Sequence, residues 1–500
     1  MKRLLTISLI SITMSSLGQV GKSEDLFSLY STSRITEDRG LSRGAGWGDM
    51  NGDGLPDLYV GNSKGQWNFL YQNHKGGYLE KLTEDYGNTF AESVMHGGAT
   101  QGVNWVDYDN DGDLDLYLCS RGKEPNLLFQ NDSLKRFVRV WDHPLTADSI
   151  SASMACWADI EGDGDLDVLM VGYRYNGNIV FENLGDGDFR RKDNHPLSAG
   201  EGRGRNCTCG DANNDGLPEF YIANARKPNE YYINNGNWEF ETLTEGLMIE
   251  DLGYAYGSSW ADFDNDGDLD IFLTNFDKEN FLFVNDGQGN FEPMKESALL
   301  GKQGGASKGQ SWGDYDNDGD LDLYIGNGTY GADMRNFLYL NDGQGNFEKI
   351  VEDKIMQHAD TSAAVAHADF DRDGDLDLFV ANWGSNDQLN RLYVNNSAGN
   401  NWISFRLSAT ESNSYGIGTR VQLISATDGD QNSTQYRWMY PVTGYAGQND
   451  YELHFGLGLT EAIKSITVFW PSGKIDNYNS DIQINQHYLL KEGIGVEIIE

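Results

Sequence analysis

Asp107-Tyr-Asp109-Asn-Asp111-Gly112-Asp113-Leu-Asp115 decides the fold of this chain, because the same nine-residue pattern returns six more times. The copies begin at Asp49, Asp107, Asp159, Asp211, Asp262, Asp314 and Asp369, at intervals of 58, 52, 52, 51, 52 and 55 residues. A steady period of this size marks a repeat architecture. Oxygen donors stand at positions one, three, five and nine, and a glycine stands at position six in every copy: Gly54, Gly112, Gly164, Gly216, Gly267, Gly319 and Gly374. That donor set suits a hard cation such as Ca²⁺, which takes about six to eight oxygens at about 2.3–2.6 Å. The glycine allows the sharp turn that aims the seventh carbonyl at the ion.

The ligands expected are therefore Asp49, Asn51, Asp53, Leu55 and Asp57 in the first loop, and Asp107, Asp109, Asp111, Asp113 and Asp115 in the second. Asp159, Glu161, Asp163, Asp165 and Asp167 form the third set, and Asp211, Asn213, Asp215, Leu217 and Glu219 the fourth. Asp262, Asp264, Asp266, Asp268 and Asp270 follow, then Asp314, Asp316, Asp318, Asp320 and Asp322, and finally Asp369, Asp371, Asp373, Asp375 and Asp377. Up to seven Ca²⁺ ions are expected. Acidic turns that merely solvate hairpins use the same residue types, but seven copies in fixed phase favour metal. An EF-hand is excluded, since no glutamate sits at a twelfth position and strand-like segments such as Ile271-Phe-Leu follow.

Outward from the loop, each repeat reads as four strands. In the second, Gly102–Val106 enters the loop, Leu114–Cys119 leaves it, Asn126–Gln130 follows, and Arg136–Val140 comes last. Four-stranded meanders repeated radially make a propeller. The leading hydrophobe of the fourth strand precedes the next loop at Phe27, Leu79, Phe137, Phe189, Phe240, Phe291 and Phe347, and no such residue follows the last loop. Phe27–Tyr30 is thus expected as the outer strand of the last sheet, closing a seven-bladed ring over residues 19–400 without free edges.

The chain has 500 residues, 60 glycines and a formal charge of −40, with 37 bases against 77 acids. The metal loops hold 31 of those acids, so the charge belongs to a repeated site and not to an acidic tail. Nucleic acid and anionic membrane are poor partners for such a surface. Residues 1–18 read as a signal peptide, with Lys2 and Arg3 before an apolar run and small residues at Ser16 and Gly18. No later run is long enough to span a bilayer. The expectation is a secreted or cell-surface protein without a transmembrane segment, acting as a monomer.

Trp47, Trp105, Trp157, Cys209, Trp260, Trp312 and His367 share the position two before each loop, which reads as packing between sheets. Cys119, Cys156, Cys207 and Cys209 all lie on expected strands, and the tryptophan-equivalent place of Cys209 favours buried thiols over a disulfide. His143 and His195 occupy matching His-Pro-Leu corners. His96 and His358 both lie eleven residues before a loop.

After Asn395 the pattern changes, and residues 401–500 form a second strand-rich unit, expected as a small β-sandwich. Gly416–Arg420, Gly444-Tyr-Ala-Gly-Gln448-Asn-Asp, His454-Phe-Gly-Leu-Gly458 and Trp470-Pro-Ser-Gly473 resemble the C-terminal module of the ASPIC/UnbV group, the cartilage acidic protein-like family. The seven loops resemble FG-GAP/VCBS repeats, the calcium-loop blades also found in integrin α-subunit propellers. The resemblance implies an all-β fold with calcium, and secreted or surface binding proteins as relatives. No Arg-Gly-Asp occurs.

Two classes of function follow. One is a calcium-stabilised binding or adhesion module for an extracellular glycan or surface protein, since no nucleophile signature or triad spacing is present. The other is an extracellular lyase on an acidic polysaccharide, for which His96, His358 or a loop tyrosine would serve as base. If metal loops join first to second strands, the loops joining second to third strands leave at the opposite end. These are rich in cations and aromatics. Arg121, Arg174, Arg226, Trp67, Tyr175 and Trp383 are the candidate ligand-binding residues, with Arg43, Arg205 and Lys308 adding charge near the same mouth.

Overall fold

The computed structural model describes residues 25–499, apart from 84–89, 91–92, 94–97, 123, 148–150, 174–176, 201, 251–252, 302–305, 329–334, 385–387, 427–431 and 480–481. The proposed signal peptide lies outside the described residues, as do His96, Arg174 and Tyr175.

The protein is all-β with a repeated antiparallel meander of four strands, seven of them among the described residues before residue 400, the first extended to a six-stranded sheet by a hairpin from the C-terminal side. In the second, Thr100–Val106 pairs with Asp115–Ser120, then Leu127–Asn131, then Phe137–Arg139. The ninth residue of every loop is the first residue of its second strand, so the turn and the hairpin register are set together. Phe27–Leu29 pairs with Arg391–Asn395 as the fourth strand of the last sheet, with Phe27 opposite Asn395. A strand from the start of the chain thus completes a sheet built at residue 395.

Neighbouring sheets meet through their first strands. Trp105 lies edge-on to Tyr59 of the preceding sheet at 6.3 Å, Trp157 to Tyr117 at 5.5 Å, and Trp312 to Phe272 at 6.0 Å. Such pairs add about 0.5–1.5 kcal/mol beyond their buried area. The first and last sheets also meet through a tryptophan, Trp47, which stacks on Phe370 of the last loop at 6.0 Å and donates to the Ala366 carbonyl. Cys209 and His367 replace tryptophan: Cys209 is buried and all four thiols are free, while His367 is partly buried and bonds Ser311.

A repeated asparagine reinforces the contact. At the end of each third strand an asparagine donates from Nδ2 to the second-position carbonyl of the preceding loop. Asn131 reaches Met50, Asn183 reaches Tyr108, Asn234 reaches Ile160, Asn285 reaches Ala212, Asn341 reaches Phe263 and Asn395 reaches Tyr315, at 2.6–3.0 Å. Asn73 of the first sheet reaches Phe370 of the last at 2.7 Å.

The C-terminal module contains two four-stranded sheets, one ordered Leu453–Gly458, Asn401–Ser408, His487–Lys491, Gly495–Ile499, the other Asn432–Trp438, Arg420–Ala426, Ile463–Phe469, Ile475–Tyr478. Between them a short hairpin, Val442–Thr443 with Gly447–Gln448, leaves the module and pairs in parallel with the first strand of the first sheet, Ala45 opposite Gly447. Gln448 accepts from the Trp105 backbone N–H at 2.9 Å and donates to its carbonyl at 3.0 Å. At the hairpin tip a Cβ on Gly444 would stand 2.5 Å from the backbone of Gln310, so only glycine fits there. The hairpin is packed among the inner strands of several sheets.

Candidate metal centres and the opposite face

Each metal loop is folded by its own carboxylates. The first-position aspartate accepts from the N–H of the sixth-position glycine in all seven loops at 2.8–3.0 Å, from Gly54 to Asp49 through Gly374 to Asp369. The fifth-position carboxylate accepts from the seventh-position N–H, as Asp266 does from Asp268 at 3.0 Å. The ninth carboxylate is buried and accepts from the third-strand asparagine, as Asp115 does from Asn131 at 2.7 Å.

These contacts leave oxygens over, and the leftovers converge. In four loops the first, third and ninth carboxylates bring oxygens within 4.8 Å of one another: Asp107, Asp109 and Asp115; Asp262, Asp264 and Asp270; Asp314, Asp316 and Asp322; Asp369, Asp371 and Asp377. One oxygen each of Asp109, Glu161, Asp264 and Asp371, all third-position residues, is buried without a partner, as is one of Asp270 and one of Asp314. Burial pushes Asp107, Asp159 and Asp211 up to about 6 and Asp262 up to about 8, the last helped by Asp266. Asp57, Asp115, Asp322 and Asp377 rise well above the carboxylate range for the same reason. Crowded, buried, oxygen-only and short of donors, the loops fit a hard cation. Asp113, Asp165, Asp268, Asp320 and Asp375 present the seventh position, with Leu55 and Leu217 in the two loops that carry Asn51 and Asn213.

The C-terminal module covers this end of the molecule and touches every loop. The Arg406 guanidinium is 3.6 Å from Asp49, and Ser414 donates to Asp107 while its N–H donates to Asn110. The Glu411 carbonyl lies against Gly164, Arg420 donates to Asn214 at 2.5 Å, and the Tyr436 ring lies against Gly267. The Gly456 N–H donates to Asp314 at 2.8 Å, and buried Arg437 reaches the Gly319 carbonyl at 3.3 Å. At the last loop the Trp402 indole occupies the place a Cβ on Gly374 would need, and Glu452 pairs with Arg372 at 2.5 Å. Of these partners only Arg420 and Gly456 stand in the motifs quoted from the sequence. Their contacts are made across 28 to 357 residues, and the quoted motifs at Gly416–Arg420 and His454–Gly458 pointed to two of the segments involved.

The far ends of the same strands carry the other predicted residues. Arg121 lies 3.8 Å over the Tyr173 ring, and Arg226 5.2 Å over Tyr254. Trp383 takes Arg43 at 3.8 Å and Lys308 at 5.1 Å. Trp67 is 56% exposed and stands apart from this group. His358 bonds the Tyr393 hydroxyl at 3.1 Å, and burial and then Arg391 lower its basicity.

Residues 49–118, 107–170, 159–222, 211–273, 262–325 and 314–380 match the family model described as FG-GAP-like repeat, and residues 409–497 match ASPIC and UnbV. The chain belongs to the FG-GAP-like repeat family, with an ASPIC/UnbV module at its C-terminal side. It is 23% identical over 415 residues to cartilage acidic protein 1 of Homo sapiens, covering 76% of this chain and 61% of that protein. Against cartilage acidic protein 1 of Xenopus tropicalis the identity is 23% over 500 residues, covering 92% and 75%. The chain therefore spans less than two thirds of the human relative's length. Among solved structures it is similar to an Agrocybe aegerita lectin described as recognising non-reducing terminal N-acetylglucosamine, with a TM-score of 0.45, 18% identity and coverage of 62% and 79%. YCF48 bound to D1 peptide gives a TM-score of 0.45 and 11% identity, covering 74% and 95%. Likenesses this distant say nothing of what this FG-GAP chain binds. Among the described residues no helix is long and apolar enough to cross a membrane.

Proposed function

We propose that this chain is a secreted or cell-surface binding module: a seven-bladed propeller with calcium in its loops, using the end away from the metal to hold an extracellular ligand of acidic character, a carbohydrate first. The polarity of the molecule carries this reading. Carboxylates crowd one end, where the ASPIC/UnbV module covers all seven loops. Arg43, Arg121, Arg205, Arg226 and Lys308 gather at the other with Tyr173, Tyr254, Tyr256 and Trp383. In a chain of charge −40, such a cationic and aromatic end is suited to carboxylate or sulfate and to the flat faces of sugar rings. Ring closure is supported by the Trp47–Phe370 stack and the Asn73–Phe370 bond, and calcium by the convergent, partnerless oxygens.

Affinity gels bearing pectate, alginate and sulfated glycans test it. The parent protein should be retained in a salt-sensitive manner, and a variant with Arg121, Arg174 and Arg226 changed to Ala should elute earlier. Equal retention of parent and variant on every gel places the ligand elsewhere.

A further inference from the structure

The residue six positions before each metal loop is Arg43, Gln101, Ser153, Arg205, Tyr256, Lys308 and Ala363 in turn. In all seven sheets the first strand breaks register at that residue, for example between Ser42 and Gly44, between Gly204 and Asn206, and between Ser307 and Gln310. A bulged residue is released from the ladder and its side chain is re-aimed. Three of these seven are cations, and all three are buried, at 9% exposure for Arg43, 6% for Arg205 and 1% for Lys308.

Aromatic rings link them into one arc. Arg43 and Lys308 share Trp383; Lys308 and Arg205 share Tyr256, at 5.8 and 5.3 Å; Arg205 and Arg121 share Tyr173, at 4.6 and 3.8 Å. Tyr445, at the tip of the C-terminal hairpin, packs on Tyr256 at 5.1 Å and backs the arc. Beyond burial, Arg43 disfavours the charged form of Lys308, and Arg43 and Arg205 do the same to Arg121. No ion pair involves any of the four among the described residues. Nε and Nη1 of Arg205 are buried without partners, and so are both amide atoms of Gln101. Burial, then Arg43, brings Lys308 down to about 7. Three buried cations and the partly buried Arg121, without a counter-charge, form an arrangement that an anion would complete.

We propose that Arg43, Arg121, Arg205 and Lys308 form a site for the oxyanion of one acidic sugar unit, carboxylate or sulfate, set against Tyr445. This rests on the reading of that end as glycan-binding and sharpens it: one acidic unit is taken at the centre, while a polymer's remaining length lies over the outer loops.

The test is thermal unfolding at constant ionic strength with galacturonate, sulfate or neutral galactose. A saturable rise in melting temperature is expected with galacturonate, sulfate or both, and none with galactose. Galacturonate alone marks a carboxylate site, and sulfate alone a sulfated one. Arg205→Met and Lys308→Met each remove an unpaired buried charge, so without anion they should melt no lower than the parent and show no response. Arg121→Gln, at a partly buried position, covers the case in which both fail to fold, and should weaken the response about ten-fold. A parent with no saturable response, or a response retained in every folded variant, overturns the site. Retention of the parent on an acidic gel with no response to either small anion overturns this inference and spares the wider one. A monosaccharide response without polymer retention does the reverse.

Discussion

Asp262 and Glu219 are both pushed up to about 8, by burial first; Asp266 then adds to the shift of Asp262, and Asp211 to that of Glu219. A carboxyl whose folded pKa exceeds its unfolded one holds its proton more tightly in the native state, so stability falls as pH rises from the unfolded value towards the folded one. A divalent cation reverses this by favouring the ionised form. In excess chelator the melting temperature should therefore fall between about pH 4 and pH 8, and millimolar calcium should flatten the profile. Equal melting at pH 8 with and without calcium, after confirmed metal removal, would sink the calcium reading. Glu492 has the opposite sign. Burial alone would raise it, but the Ser472 hydroxyl and the N–H groups of Glu411, Thr410 and Ser412 hold it at about 2. Its contribution is present above its unfolded value and lost as pH falls through about 2. Glu492→Gln should cost on the order of 2 kcal/mol at neutral pH, read by urea unfolding, and should remove this acid-limb dependence.

Among strands, the asparagine bridges and the N-terminal strand hold sheet to sheet. Asn285→Ala removes donors to the Ala212 and Leu269 carbonyls, at 2.7 and 3.0 Å, and leaves buried acceptors unmet. A loss of about 1–3 kcal/mol in denaturant unfolding is expected, against near neutrality for a change at exposed Asn290. The same burial bears on glycosylation: Asn131, Asn206, Asn327 and Asn395 head sequons but are buried, whereas Asn432 is exposed. Removing Phe27–Leu29 strips the last sheet of its fourth strand and bares Arg391–Asn395. A chain beginning near Gly40 should aggregate or dimerise in light scattering. If it stays monomeric with unchanged melting, the strand is not what protects the edge of the last sheet.

For the whole molecule, the hairpin at Val442–Gln448 ties the C-terminal module to the repeats. Its backbone pairs with Ala45 and Gly46, its Gln448 side chain bonds Trp105 twice, and Tyr451 donates to the Trp105 carbonyl at 2.7 Å. Calorimetry should show a single transition. Gly444→Val, whose side chain would collide with Gln310, should withdraw the hairpin and split the transition in two. A single unshifted transition in that variant would show that the cap holds through the loop contacts of Arg406, Arg420 and Arg437 alone.

The seven loops, the four strands of each repeat and the strand exchange at Phe27 were legible in the sequence, because each depends on spacing along the chain: a turn needs its glycine, and a strand follows its ninth carboxylate. The tryptophan positions were legible for the same reason. What the tertiary structure alone decided is everything set by distance across the fold. Arg406 meets Asp49 across more than three hundred residues, and Asn73 bonds a carbonyl at Phe370. Arg43, Arg205 and Lys308 could be placed at one end from their register, but not shown to be buried, unpaired and joined through shared rings. Local periodicity fixes which end of a strand a residue occupies, whereas its partners depend on how the sheets are arranged in space, and a register repeated seven times carries no record of what lies across the centre.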